Sequence, residues 1–270
     1  MKALKLRDNG EIPVLGLGTY GIGGGSTPEP DLDEKHIKVL RKAFDLGYTH
    51  LDTAEVYASG HSEKVIGMAL EGRPRSSMFL TTKVDPANLK LDDFKASLKG
   101  SLERLKTDYI DLYLIHWPSD SLPIEKWFDG MNWAYDQGLI QHVGVSNFSV
   151  EQLEAAEKHS SRPVVTNQVP YGLDDRKYVK NGVLEYCQEK KILVTAYSPV
   201  KKGSLQNKTV RDIADKHGIT PAQTALAWLL TQPQVITIPK AAGMDHLEEN
   251  IRAADITLDA EDMERLDKLA

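Results

Sequence analysis

The chain has 270 residues, long enough for one large domain or two ordinary ones. With 41% hydrophobic and 27% charged residues it cannot be a disordered, collagen-like or low-complexity protein. A net charge of −6 argues against an electrostatic nucleic-acid binder, and the single Cys187 permits no internal disulfide, Cys-rich zinc site or cysteine-ligated iron–sulfur cluster.

In chain order, Lys2–Leu6 and Glu11–Pro13 flank Asp8-Asn9-Gly10, a strong hairpin signal. The first 16 residues hold no apolar run of signal-peptide length. No segment approaches the roughly 20 apolar residues of a membrane span, so the expectation is a cytoplasmic protein that meets neither membrane nor nucleic acid. Short apolar runs rich in Val, Ile, Leu and Tyr then recur, each followed by a stretch with helical spacing. The strand-like runs are Val14–Gly18, His50–Asp52, Met78–Lys83, Ile110–His116, His142–Ser146, Val164–Gln168, Leu193–Tyr197 and Val235–Pro239. Predicted helices cover Asp33–Leu46, Ser62–Leu70, Leu91–Leu105, Ile124–Gln137, Val150–His159, Tyr178–Lys190 and Val210–Leu230, with a last one at Met244–Ala254. Asp33, Ser62 and Ser149 offer N-caps, and Thr220-Pro221 puts proline at a first helical position.

Eight strand–helix units at a spacing of about thirty residues close a parallel sheet on itself. The expected fold is therefore α/β: a (β/α)8 TIM barrel in one domain, residues 1–270, with an N-terminal β-hairpin cap. Gly21–Gly25 imitates a phosphate-binding turn, but no strand with an acidic residue follows at the required distance, so it reads as a flexible loop.

Barrel chemistry sits at the carboxyl ends of the strands. There the second run supplies Asp52 and, five residues on, Tyr57; the third ends in Lys83, and the fourth supplies His116 and Trp117. Successive strands lie about 4.8 Å apart, so Asp52, Tyr57, Lys83 and His116 are expected to converge. A phenol near pKa 10 is a reluctant acid, and an adjacent ammonium favours its phenolate. Asp52 supplies the counter-charge that keeps a partly buried lysine protonated, and a neutral histidine orients the substrate oxygen. Such a set suits reduction of a carbonyl by hydride, or the reverse oxidation of an alcohol. A single Asp–Lys pair on adjacent strands is as readily a structural ion pair; four such groups at one end of three strands are not.

Those residues fall in segments that resemble the aldo-keto reductase family. The segments are GYTHLDTAEVYASGHSEKVIGMAL at Gly47–Leu70, TDYIDLYLIHWP at Thr107–Pro118, GVSNF at Gly144–Phe148, NQVPY at Asn167–Tyr171, AYSPV at Ala196–Val200 and IPKAAGMDHLEEN at Ile238–Asn250. The resemblance implies a catalytic tetrad of Asp52, Tyr57, Lys83 and His116 and a nicotinamide dinucleotide cofactor, NADPH with NADH possible. It places Ser146, Asn147 and Gln168 at the nicotinamide carboxamide, Tyr197 stacked on the ring, and Thr53 near its ribose. Thr19 and Ile238 join the cofactor set. The diphosphate falls near Ser198, Gly203, Ser204 and Leu205, and Glu249 and Asn250 contact the adenine. Lys240 is the cationic donor for an adenosine 2′-phosphate. Lys201 and Lys202 either add charge near the diphosphate or are simply solvated.

Two departures from the family pattern weaken the expected preference for NADPH. Ala241 stands where a hydroxyl residue often follows the lysine, and His246 where an arginine often reads the phosphate; histidine lacks the permanent charged fork. The substrate mouth is assigned to Tyr20, Val56 and Trp117, while Phe148 reads as core. Asp85 replaces a frequent bulky aromatic and suggests a wetter rim. Short loops and the end at Ala270 suggest an open pocket for aldehydes, ketones or sugars; no metal is expected. Three alternatives remain: a non-catalytic nucleotide-binding regulatory barrel, a Schiff-base aldolase using Lys83, and a metal-dependent hydrolase.

Overall fold

The computed structural model describes residues 2–241 and 243–269. The chain opens with the predicted hairpin, β1 (Ala3–Lys5) against β2 (Glu11–Pro13), paired Ala3 to Pro13 and Lys5 to Glu11. Its turn carries Asn9 at φ 75°, a left-handed position that asparagine tolerates. The Asp8 carboxylate receives the Gly10 N–H and pairs with His142 Nδ1 at 2.6 Å, at the start of a barrel strand. The hairpin is thereby fixed across the amino-terminal end of the barrel.

The barrel strands follow: β3 (Leu17–Gly18), β4 (His50–Asp52), β5 (Phe79–Val84), β6 (Ile110–Ile115), β7 (Ile140–Ser146), β8 (Val164–Pro170), β9 (Leu193–Tyr197) and β10 (Val235–Thr237). Each pairs in parallel with the next in sequence. Bridges from Leu15 to Thr237 and from Gly18 to Lys240 join the last strand to the first and close the ring. Val14–Gly16, predicted as strand, spends its backbone on this seam: Gly16 N–H donates to Thr237 O, and Val14 O accepts from Thr237 N–H. Gly18 is required there, because a Cβ would lie 2.7 Å from the Ile238 carbonyl oxygen. Strands β6 and β8 bury nearly every residue, as a sheet covered on both faces demands.

The helices are α1 (Asp33–Asp45), α2 (His61–Leu70), α3 (Leu91–Leu105), α4 (Asp129–Asp136), α5 (Val150–His159), α6 (Lys177–Lys180), α7 (Val183–Glu189), α8 (Lys202–Gln206), α9 (Lys208–His217), α10 (Pro221–Leu230), α11 (Met244–Arg252) and α12 (Ala260–Asp267). Ser149 and Thr220 each close a full capping box. Asp33 and Ser62 lie inside their first turns instead, behind Leu32 and a left-handed Gly60. Three predicted helices are broken. Gly218 at φ 62° ends α9 before Thr220-Pro221 starts α10, Gly182 at φ 80° separates α6 from α7, and a 3-10 turn at Ile124–Lys126 precedes α4. Helix α12 was not anticipated; Asp259 caps it, and Lys216 and His217 bind Asp262 at its first turn. Among the described residues no helix is long and apolar enough to cross a membrane.

Candidate active site

The carboxyl ends of the strands surround a cavity of about 880 Å³. Asp52 closes β4 and is buried, with its carboxylate receiving Lys83 Nζ at 2.6 Å and Gln168 Nε2 at 2.7 Å. Lys83, fully buried on β5, also donates to the Thr53 carbonyl oxygen at 2.6 Å. Strands β4 and β8 stand opposite one another in the ring, so the Gln168–Asp52 bond crosses the barrel interior. Tyr57 follows in the loop after β4, with Lys83 Nζ 5.1 Å from its ring centroid. The rings of His116 and Tyr20 meet Tyr57 edge-on at centroid distances of 5.7 and 5.3 Å. The four residues read from the sequence therefore do converge on one spot.

Their electrostatics follow from burial and one another. Burial disfavours the Lys83 ammonium, but Asp52 and Tyr57 more than offset this and its pKa is raised. Burial likewise raises Asp52, against the pull of Lys83. For Tyr57 burial is the largest influence and raises the pKa; Lys83 opposes it and Asp52 adds to it. The expectation that the adjacent ammonium lowers this phenol's pKa is thus corrected: Lys83 does pull it down, but burial outweighs that pull, and the phenol stays protonated near neutrality. Burial, with Lys83 second, drives the His116 imidazole down to about 3, so it is neutral.

Across the cavity Ser146, Asn147, Gln168 and Tyr197 form one network. Ser146 Oγ donates to the Gln168 carbonyl, Asn147 Nδ2 to Ser146 Oγ and to His116 O, and the Tyr197 hydroxyl to Asn147 Oδ1. Asn147 at φ 64° and Ser198 at φ 48° directly follow β7 and β9. Left-handed non-glycine residues at such places turn the chain sharply over a site. Thr19, Tyr20, Trp117, Ser198, Leu205, Ile238, Lys240, His246, Glu249 and Asn250 also line the cavity. None beyond Asn250 does so among the described residues.

Several expected residues lie elsewhere. Thr53 is buried with its hydroxyl on Ser62, and Val56 is exposed outside the lining; Phe148 packs against Trp127 in the core, as its sequence reading has it. Gly203 and Ser204 face Asp174, whose carboxylate captures the Ser204 N–H; Lys201 does line the cavity and pairs there with Asp175 at 2.6 Å. Asp85 is no wet rim: it caps the short turn after β5 by accepting the Ala87 N–H. Lys240 sits with Nζ 5.5 Å from the Tyr20 ring centroid, and His246 pairs with Glu249, which also accepts from Thr220. Sequence reasoning missed Pro199, Val200, Pro221, Ala222 and Pro239 in the wall. The signals at hand were the Thr220-Pro221 helix start and the segments AYSPV and IPKAAGMDHLEEN, which contain Pro199, Val200 and Pro239.

The model of the Aldo/keto reductase family matches residues 14–270, and the chain belongs to that family. It is 35% identical to methylglyoxal reductase YeaE of Escherichia coli K12, covering 99% of this chain and 94% of that one. It is 33% identical to glyoxal reductase of Bacillus subtilis 168, over 98% and 92%. Among solved structures it resembles the thermostable aldo-keto reductase Tm1743 in complex with the inhibitor epalrestat, at 44% identity, TM-score 0.96 and full coverage of both chains. An aldo-keto reductase from Klebsiella pneumoniae in complex with NADPH aligns at 34% identity and TM-score 0.89, over 99% and 94%.

Because His116 is neutral when folded, its ring resonances, assigned by their loss in His116→Gln, are expected to stay fixed between pH 5 and 8. The unfolded chain protonates this side chain near pH 6.5 and the folded one only near 3, so His116 subtracts stability progressively as pH falls between these values. A midpoint near 6.5 in the folded protein would contradict the assignment.

Proposed function

We propose that the chain reduces small aldehydes and ketones with NADPH, α-dicarbonyls such as methylglyoxal among them, and runs reversibly. The observation that carries this reading is the buried Lys83 ammonium, held by Asp52 and Thr53 O beside a protonated Tyr57 that opens on the cavity. Relatives named methylglyoxal and glyoxal reductases, and one bound to NADPH, support it.

The cavity suits a dinucleotide in both extent and chemistry. It runs from Tyr57 past the amide and hydroxyl groups of Ser146, Asn147 and Gln168, along Tyr197 and Ser198, to Lys240, His246, Glu249 and Asn250. The amides fit a carboxamide, the Tyr197 ring fits a flat heterocycle, and Lys240 with His246 fits a phosphate. Bound NADPH supplies the hydride. Neutral His116 donates a hydrogen bond to the carbonyl oxygen and orients it. Tyr57 passes its proton to that oxygen as charge develops there, and Lys83 stabilises the phenolate left behind. In the reverse direction the phenolate takes the alcohol proton. Tyr20 and Trp117, both largely exposed, frame the entry for the substrate.

The aldolase reading loses its nucleophile, since Lys83 is fully buried, doubly bonded and held charged. Among the described residues the metal-hydrolase reading meets no cluster of possible ligands at the strand ends. His217, Asp259 and Asp262 approach one another only on the outer helices, around the Lys216 ammonium.

Two outcomes follow. Tyr57→Phe is expected to cut NADPH consumption with methylglyoxal by about two to four orders of magnitude while NADPH binding, followed by protein fluorescence, persists. A retained rate contradicts the role of Tyr57, and an inactive wild type that still binds NADPH favours the regulatory barrel. Lys240→Ala is expected to raise the KM for NADPH by about ten- to a hundredfold and that for NADH little. With His246 in place of an arginine, the wild type should prefer NADPH only modestly; a strong preference for NADH contradicts this assignment.

A further inference from the structure

We infer that Glu55, with the Glu63–Arg104 pair opposite it, is the positioning device that sets Tyr57 against Lys83; the inference rests on the reading of Tyr57 as the proton donor. Glu55 lies two residues before Tyr57 and does not line the cavity. Its carboxylate takes three hydrogen bonds, none from its own loop. Oε1 accepts the Asp85 N–H at 2.6 Å and Asn88 Nδ2 at 3.1 Å, and Oε2 accepts the Ser97 hydroxyl. Asp85 and Asn88 belong to the segment that leaves β5 just after Lys83, and Ser97 to the helix α3 that follows. The Glu55 N–H adds a bond to the Lys83 carbonyl at 3.3 Å. The loop bearing the phenol is thus fastened to the segment bearing the ammonium, on the amino-terminal side of Tyr57.

A second fastening holds the other side. Ala58, Ser59 and Gly60 are all left-handed, at φ 47°, 53° and 87°. Two such non-glycine residues in succession cost about 1–3 kcal/mol each and persist only where the surroundings hold them. Arg104 does so. Its guanidinium lies against Gly60, where a Cβ would fall 2.8 Å from Nε, and it donates to buried Glu63 at 2.7 Å. Glu63 in turn accepts from Thr82, the residue before Lys83, at 2.5 Å. Both carboxylates therefore tie the Tyr57 turn to β5 and α3. Removing one lets the phenol drift from the ammonium while the cavity wall stays in place.

The test uses the full chain, NADPH and methylglyoxal, with kcat, KM for both ligands and the pH dependence of kcat. Glu55→Ala is expected to lower kcat by about 10- to 100-fold, the scale of a misplacement near 1 Å. The KM for NADPH should stay within a factor of about two. The alkaline limb of kcat should move to higher pH, because Lys83 no longer stabilises the phenolate. Glu55→Gln keeps an acceptor for Asp85 and Asn88 and an amide for Ser97, and should recover kcat to within about threefold. Ser97→Ala, which removes one of three donors, should lose about threefold with a smaller shift of the limb, and decides the matter should Glu55→Ala not fold. An unchanged kcat and pH profile in the folded alanine variants overturns the inference, as does a loss in Glu55→Ala confined to NADPH binding. An inactive wild type refutes the proposed function instead, which keeps the two failures apart.

Discussion

A fully buried cation is the constraint around which the rest of this molecule is arranged. Lys83 is fully buried and donates to Asp52 and Thr53 O, while Asp52 is held from the far side of the barrel by Gln168. Taking two opposite charges out of water costs several kcal/mol per ion, recovered only with close geometry and satisfied hydrogen bonds. The barrel supplies that geometry because β4 and β5 are adjacent, β8 faces β4, and the closed ring fixes all three. The pair does little for stability that a hydrophobic substitute could not do. Its value lies in what it does to the half-buried phenol beside it: burial keeps Tyr57 protonated, and Lys83 makes the deprotonated state reachable.

The same economy extends along the cavity. Ser146, Asn147, Gln168 and Tyr197 satisfy one another, so their polar groups are oriented before a ligand arrives. Left-handed residues at 58–59, 147 and 198 lie where the chain leaves β4, β7 and β9. Strained turns at these places aim side chains over the cavity, while the parallel strands beneath show a register shift at Val143/Val145 of β7. At the outer end the polar groups are held by neighbours outside this network. Lys240 lies over Tyr20, and the Ser204 N–H is held by Asp174.

The alternation of apolar runs and helical stretches made the barrel and its hairpin legible. The rule that strand ends carry the chemistry then found Asp52, Tyr57, Lys83 and His116 together. Local periodicity failed where a break carried no loss of apolar pattern: Gly218 and Gly182 interrupt helices whose buried faces continue across them. Helix α12 was missed because its partners lie far back in the chain, at Lys216 and His217. The capture of Ser204 by Asp174 and of the Tyr57 loop by Glu55 were hidden for the same reason. A carboxylate in a loop looks solvated until the fold brings it a backbone N–H from thirty residues away. The pKa of Tyr57 was misjudged because burial, unlike charge, cannot be counted from sequence.

The central claim is that the Lys83 ammonium lowers the cost of deprotonating Tyr57, and it can be read on the phenol itself. With tyrosine labelled at the ring carbon bearing oxygen, and the Tyr57 resonance assigned through Tyr57→Phe, its titration can be compared in the wild type and in Asp52→Asn/Lys83→Met. The double replacement leaves no lone buried charge, and Lys83 acts on Tyr57 more strongly than Asp52 does. The Tyr57 midpoint should therefore move to higher pH in the variant; a midpoint that stays in place or falls would contradict the account.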